Sequence, residues 1–413
     1  MKNIIYRLLI TTMITSCGDV PEEYSNGMAS DSPSMKLNIN NAKSLFMSSN
    51  SNRTNSEAEN SNQFELPKRI FKYTEDGAVE EVTLTLSDGS KLVEKYEPLS
   101  IDTIENFVIF TFGPDVILPE TCYLVNTSNN KVHNLGGEKR KCPVPQGFSR
   151  QAKIYLEDSN LYFRYADHEE QSYYVQKVNL EDMSKSMYSP DTADVMNFMV
   201  DSFGNMVYTD WEAGEVILRK KDGELYTLLS GQNDATASTY WIGLDGNNYI
   251  FDVNNDKVYK ITIGTDGVVR KTLYKSSTAI MVNADTEILK LKNNIVFVTY
   301  GNYSNITVDD GYTFETMNIP FDNITNAKVS NEYVYVSGNE GLIKIDLFYD
   351  TITEMYNEGT YEIYDFDVTS NDSITFSALR ISDGKSVLGE ISEDGNLTIT
   401  FVGNKITNLK LVN

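Results

Sequence analysis

The chain ends on ITNLKLVN, residues 406–413, and a near copy of those eight letters, ITNAKVSN, stands at 324–331. The internal copy opens a unit of short apolar runs and polar turns. The terminal copy opens nothing, because the chain stops. Working outward, runs such as NMVYTDW (205–211), EVILRK (215–220), NIVFVTYG (294–301) and EYVYVSG (332–338) are rich in Val, Ile, Tyr and Phe. They are separated by Gly, Asn and Asp pairs, the punctuation of β-hairpins. No amphipathic helix is legible between them.

The runs recur with a period of about 40 residues, the range of β-propeller blades. One unit reads VMNFMVD, turn SFGN, MVYTDW, turn EAG, EVILRK, turn KDG, ELYTLLS. The next repeats it from TYWIGLD. Further units begin near SIDTIEN, AKIYLEDSN, EILKLKNN, NAKVSNE and YEIYDFDVTSND, which makes seven complete units. Two fragments remain. RIFKYT, AVEEVTLTL and SKLVEKY stand at the front with no inner strand before them. ITNLKLVN stands at the back with no hairpin after it. A ring of sheets must close or expose unpaired edges. The reading is therefore all-β, a β-propeller of eight four-stranded blades with one-plus-three closure. Seven blades remain the alternative, because residues 287–318 are irregular.

Acidic residues outnumber basic ones, 59 to 35, for a formal charge of −24. That balance excludes nucleic acid, whose phosphates need clustered Lys and Arg. At the N-terminus, Lys2 and Arg7 precede the short apolar run LLITTMIT, the layout of a secretory signal over 1–16. The run is too short to span a bilayer. It ends at Ile14-Thr15-Ser16-Cys17, which resembles the lipobox of bacterial lipoproteins. The resemblance implies that Cys17 is lipidated and becomes the first mature residue. Residues 17–63 then form a Ser/Asn-rich tether, and the apolar island Ala42 to Met47 reads as part of it. The propeller is expected over 64–413.

Two cysteines remain. Cys122 and Cys142 fall in long loops of the same unit, so a disulfide is expected in an exported chain. The catalytic inventory is short. His133 lies in an outer strand and His168 beside Glu169 and Glu170, without a nucleophile elbow or a phosphate loop. No catalytic residue, metal or cofactor is assigned. DVNNDK (252–257) resembles a calcium loop but lacks its glycine and final glutamate, so an Asx turn is expected.

In a propeller one face carries the loops between second and third strands and the blade-to-blade connections. The other carries the short turns, SFGN, KDG and TDG among them, which read as structural. Binding residues concentrate on the longer loops. There stand Trp211 with Asp210 and Glu212, Trp241 with Tyr240, and Tyr300 and Tyr303 one unit on. Flat rings beside acids suit a protein hot spot or a sugar, and the alternative is that the rings are wedged between neighbouring blades.

The whole resembles bacterial outer-membrane β-propeller lipoproteins. In their known eight-bladed form these are scaffold subunits of the outer-membrane barrel assembly machinery. That family's Ala-x-Asp-x-x-Thr-Gly-x-x-x-Trp signature is met in part by KIDLFYDTITEMY (344–356), which keeps an Asp and a Thr and has neither the Gly nor the Trp. The resemblance is one of architecture. It implies a non-enzymatic scaffold on the outer membrane, facing periplasm or cell surface, held by its lipid alone and binding a protein of the cell envelope. Glycan binding or polysaccharide degradation, and a surface adhesin or receptor component, are the alternatives.

Overall fold

The computed structural model describes residues 36–48, 68–85, 96–115, 119–136, 141–144, 154–167, 172–231, 239–276, 286–300, 304–338, 341–357, 359–403 and 406–412. Eight four-stranded antiparallel sheets follow one another as blades. Blade 2 runs Pro98–Ile104, Phe107–Phe112, Thr121–Asn126 and Lys131–Asn134. Blade 3 runs Ile154–Glu157, Asn160–Asp167, Ser172–Asn179 and Lys185–Met187. Blade 4 is Val195–Val200, Met206–Asp210, Glu215–Arg219 and Leu225–Leu229; blade 5 is Thr239–Ile242, Asn248–Asp252, Lys257–Ile263 and Val269–Ser276. Blade 6 is Thr286–Lys290, Ile295–Thr299, Asn305–Asp309 and Phe314–Met317, so the irregular stretch is a full blade and the seven-blade alternative falls. Blade 7 is Ile324–Ser330, Tyr333–Gly338, Gly341–Asp346 and Thr351–Tyr356; blade 8 is Tyr361–Val368, Ile374–Arg380, Lys385–Ile391 and Leu397–Gly403.

Blade 1 closes the ring. Its innermost strand is the terminal Thr407–Leu411, followed outward by Ala42–Ser48, Arg69–Thr74 and Val79–Glu81. The one-plus-three closure is as the repeat implied, but its three front strands are not. The second strand is the island assigned to the tether. Leu45, Phe46 and Met47 are buried in it, and it pairs with the terminal strand on one side and Arg69–Thr74 on the other. Its partner lies 21 residues further along, beyond a polar stretch, so local hairpin punctuation could not reveal the pairing. RIFKYT becomes the third strand and the start of AVEEVTLTL the fourth. Leu84–Thr85 pairs instead with Lys36–Leu37, so the propeller begins near Lys36 rather than at 64. Most of SKLVEKY lies outside the described residues, as do 1–35 and 49–67.

Side chains packed between neighbouring sheets make the core. Phe46, Phe71, Leu388, Ile406 and Leu409 join blades 8 and 1, and each large apolar side chain so buried is worth about 1.5–3 kcal/mol. Inside the ring the terminal strand has no strand partner for its outward amides. Two carboxylates of blade 8 take that place. Leu409 N donates to Asp365 Oδ2 at 2.8 Å and Leu411 N to Asp367 Oδ2 at 3.0 Å. The other Asp365 oxygen accepts from Asn326 Nδ2 of blade 7 at 2.9 Å. The inner strands of three blades are thus linked. Lys410 faces the same centre. Burial pulls its pKa down, but Asp365, Asp102, Asp367 and Glu287, from inner strands of three other blades, outweigh that and raise it.

All first-to-second and third-to-fourth turns lie at one end of the ring. Asn331 of blade 7 donates to Asp372 of blade 8 at 3.1 Å there, and Asn248 of blade 5 to Asp201 of blade 4 at 2.9 Å. At the opposite end Cys122 and Cys142 form a disulfide with Cα atoms 5.6 Å apart. A Cβ on Gly136 would stand 2.8 Å from Cys142 Sγ, so the bridge packs where only glycine leaves room.

Three outcomes follow from this closure. Replacing Asp365 and Asp367 together by Ala should lower the unfolding free energy by about 2–4 kcal/mol, since each leaves a buried amide unpaired; an unchanged urea midpoint would refute the latch. Lys410 is charged more readily in the fold than in the unfolded chain. Its stabilisation is complete below about pH 10 and lost as pH rises through its raised value. Lys410→Met should therefore lower stability at neutral pH and flatten the alkaline limb of a stability–pH profile. Reducing the disulfide should cost about 3 kcal/mol by the chain-entropy relation, read as a denaturation shift with and without reductant.

Candidate functional site

The second strand of a blade carries a buried hydroxyl just after its inward apolar residue. Thr111, Thr209, Thr299, Ser337 and Ser377 hold this place in blades 2, 4, 6, 7 and 8. They face the inner strand: Thr299 Oγ1 lies 3.1 Å from Thr286 Oγ1, and Ser337 Oγ 2.9 Å from Thr325 Oγ1. In blade 3 the equivalent residue, after Phe163, is Arg164, only 4% exposed. A cation replaces a hydroxyl, and the neighbourhood changes with it.

Arg164 lies over the Tyr173 ring, 4.7 Å from its centroid, and donates through Nη1 to the Met196 carbonyl of blade 4. Burial pulls its pKa down to about 10, so it stays cationic at neutral pH. Asp194, at the entry to blade 4, accepts the Tyr173 amide at 2.9 Å. Its backbone carbonyl accepts the Trp211 amide, also at 2.9 Å, which ties the second-to-third turn of blade 4 to the entry segment. Asp210 is buried, and its Oδ1 accepts the Ala213 amide at 3.2 Å inside that turn. The turn ends at Gly214, whose φ of 63° is a left-handed conformation that glycine adopts without strain.

Three carboxylates around this turn, Asp194, Asp210 and Glu212, are close enough to act on one another. Burial, then the charges of Glu212 and Asp210, raise the pKa of Asp194 against the pull of the Tyr173 amide. Burial raises Asp210 likewise, with backbone amides pulling down and Glu212 pushing up. Trp211 itself is 41% exposed at the head of the turn. Chemically this is an exposed aromatic side chain in a turn lined by interacting carboxylates, with a buried guanidinium acting on Asp194. It suits a ligand with an apolar face and a donor or cationic group.

Asp210, Trp211 and Glu212 thus stand together, with Tyr240 buried beside Thr209 beneath them. Burial takes the Tyr240 pKa well above the ordinary value, so it keeps its proton. The structure separates Trp241 from this group. It is 3% exposed, stacked on Tyr249 at 5.7 Å and edge-on to Phe297 of blade 6 at 4.9 Å. It is a wedge between blades, because it lies within the inner strand rather than in the connection before it. Tyr300 is buried too, its hydroxyl donating to Glu287 of the inner strand. Tyr303, His168 and Cys17 lie outside the described residues. His133 is in the outer strand of blade 2, its pKa lowered first by burial and then by Lys131 and Lys185. The 252–257 stretch is a backbone turn rather than the expected Asx turn, with the Asn255 amide, three residues on, meeting both the carbonyl and Oδ1 of Asp252 at 3.3 Å. Among the described residues no cluster of His, Cys, Asp and Glu could hold a metal ion. Arg164, Tyr173 and Asp194 are absent from the sequence reading. Aligning the blades would have exposed Arg164, with Phe251 of blade 5, as a departure from the hydroxyl position.

No family model matches the chain, and no curated protein matches it. Similar solved structures include virginiamycin B lyase from Staphylococcus aureus, at 16% identity over 60% of this chain and 82% of that one, with TM-score 0.40. The β-propeller domain of the Trilobed protease from Pyrococcus furiosus is 12% identical over 75% and 97%, with TM-score 0.44. Porphyromonas gingivalis dipeptidyl peptidase 4 is 10% identical over 74% and 53%, with TM-score 0.47. Likenesses this distant bear on no activity of this chain.

Proposed function

We propose that this chain is a lipid-anchored binding module of the bacterial outer membrane, and that it engages a protein of the cell envelope through the long-loop face around Trp211. The observation that carries the reading is the half-exposed Trp211, its amide tied to the Asp194 carbonyl, in a turn beside the interacting carboxylates Asp194, Asp210 and Glu212. Rings so placed are the residues that dominate protein interfaces, and a surrounding of fixed polar groups sets the orientation of the partner. The lipid anchor rests on Ile14-Thr15-Ser16-Cys17, and stable attachment needs more than one acyl chain there.

Trp211→Ala should reduce partner capture in in-cell crosslinking by about ten-fold or more, the effect of losing a hot spot, while the thermal melt stays unchanged. Retained capture would move the interface elsewhere. A glycan panel bound or turned over by the unsubstituted chain, with no protein captured, would replace the protein partner by sugar. The anchor has its own test. Globomycin treatment should leave the signal segment attached, seen by mass spectrometry, and an unlipidated mature N-terminus in untreated cells would remove the anchor from the proposal.

A further inference from the structure

Among the described residues the most exposed large apolar side chains are Tyr312, Phe348, Tyr349 and Phe203, at 86%, 80%, 72% and 69%. All four are aromatic, and all four sit in short turns. Phe203 lies between the first and second strands of blade 4. Tyr312 lies between the third and fourth strands of blade 6, and Phe348 and Tyr349 in the matching turn of blade 7. They share the end of the sheets opposite to Trp211.

One device presents them. An aspartate two residues before the ring accepts the aromatic residue's own amide. Asp201 Oδ1 accepts from Phe203 at 2.9 Å, Asp310 Oδ1 from Tyr312 at 2.7 Å, and Asp346 Oδ1 from Phe348 at 2.9 Å and Tyr349 at 3.1 Å. Such Asx turns hold the backbone before any partner arrives, so less ordering is left to be done on binding. In blade 7 the two rings meet edge to face at 4.8 Å, and Ile352 is exposed on the strand that follows.

The charge around the rings is mostly acidic, and Lys275 of blade 5, which comes near the Tyr312 turn, is already paired with Asp309 at 3.7 Å. Residues 306–317 include Asp309, Asp310 and Glu315 and no Lys or Arg; residues 342–356 include Asp346, Asp350 and Glu354 against Lys344 alone. Lys344 is already paired with Asp372 at 3.0 Å. Aromatic faces ringed by carboxylates attract guanidinium and ammonium groups, through the ring quadrupole and through net charge. They repel anionic lipid and nucleic acid.

We infer that the short-turn rim of blades 6 and 7 is a second docking surface, and that its occupant is a basic, arginine-bearing segment of a partner protein. Tyr312, Phe348 and Tyr349 are its stacking platforms, and Asp310, Asp346 and Asp350 supply the counter-charge. This goes beyond the Trp211 interface and does not depend on it. A binding surface at each end lets one chain bridge two partners.

The test uses the full chain and a fluorescent nona-arginine peptide, followed by anisotropy at low salt and at about 150 mM, where long-range attraction is screened. Replacing Phe348 and Tyr349 by Ser should weaken binding about ten-fold at the higher salt, from the loss of two cation–π contacts. Trp211→Ala should bind as the unsubstituted chain does. Equal affinity in the double variant would overturn the proposal, because binding would then be diffuse attraction to the net charge. So would loss of binding in Trp211→Ala. Phosphatidylcholine vesicles that bind the unsubstituted chain and not the double variant, with peptide affinity unmoved, would put a membrane in the protein's place. Should the double variant melt early, Tyr312→Ser alone carries the same comparison.

Discussion

The amides of Leu409 and Leu411, held by Asp365 and Asp367, are the contact on which the rest of the ring depends. A propeller is stable only when each sheet has a neighbour on both faces. Seven blades are continuous in sequence. The eighth is assembled from both ends of the chain, so the whole circle rests on where the last strand docks. Strand pairing with Ala42–Ser48 supplies one edge of that strand. Carboxylates supply the other, where no strand can stand. Lys410 and the acids around it place opposite charges at the centre, which limits the cost of burying either sign.

Closure of this kind separates two ends with different chemistry. At one end the second-to-third turns and the blade connections gather the disulfide, Trp211 and the raised carboxylates Asp194 and Asp210. The buried Arg164 behind them is possible because it lies against a tyrosine face and donates to a carbonyl, which offsets part of its desolvation. At the other end, tight aspartate-capped turns lock the blades to one another and hold rings out into solvent. The same short carboxylate thus does structural work inside the turn and prepares a surface outside it.

Much of the architecture was legible before any coordinates. Blades 4 and 5 follow their turn residues almost residue for residue, and the ITNLKLVN echo located the closing strand. What misled was distance along the chain. Ala42–Ser48 is surrounded by Ser and Asn, and its partners are Arg69–Thr74 and Thr407–Leu411, so no local pattern marks it as a strand. The site was legible only in part. Asp210, Trp211 and Glu212 were visible because they are consecutive. Arg164, Tyr173 and Asp194 were not, because they come from different strands and meet only across a blade boundary. The turn SFGN reads as structural punctuation, and it is that; its Phe203 is exposed all the same.

By itself the sequence determined the period, the strand alternation and the turn chemistry, since each of these is set by residues near one another in the chain, and the identity of the closing strand, because 406–413 repeats the inner strand at 324–331. Tertiary structure alone decided which aromatic residues are wedges and which are surface. Trp211, between Asp210 and Glu212, and Trp241, between Tyr240 and Ile242, both follow polar connections at the same end of the sheets, yet one stands on a turn and the other packs against Phe297 of the next blade. The physical reason is that burial in a propeller is a contact between sheets, and the neighbouring sheet is always some 40 residues away.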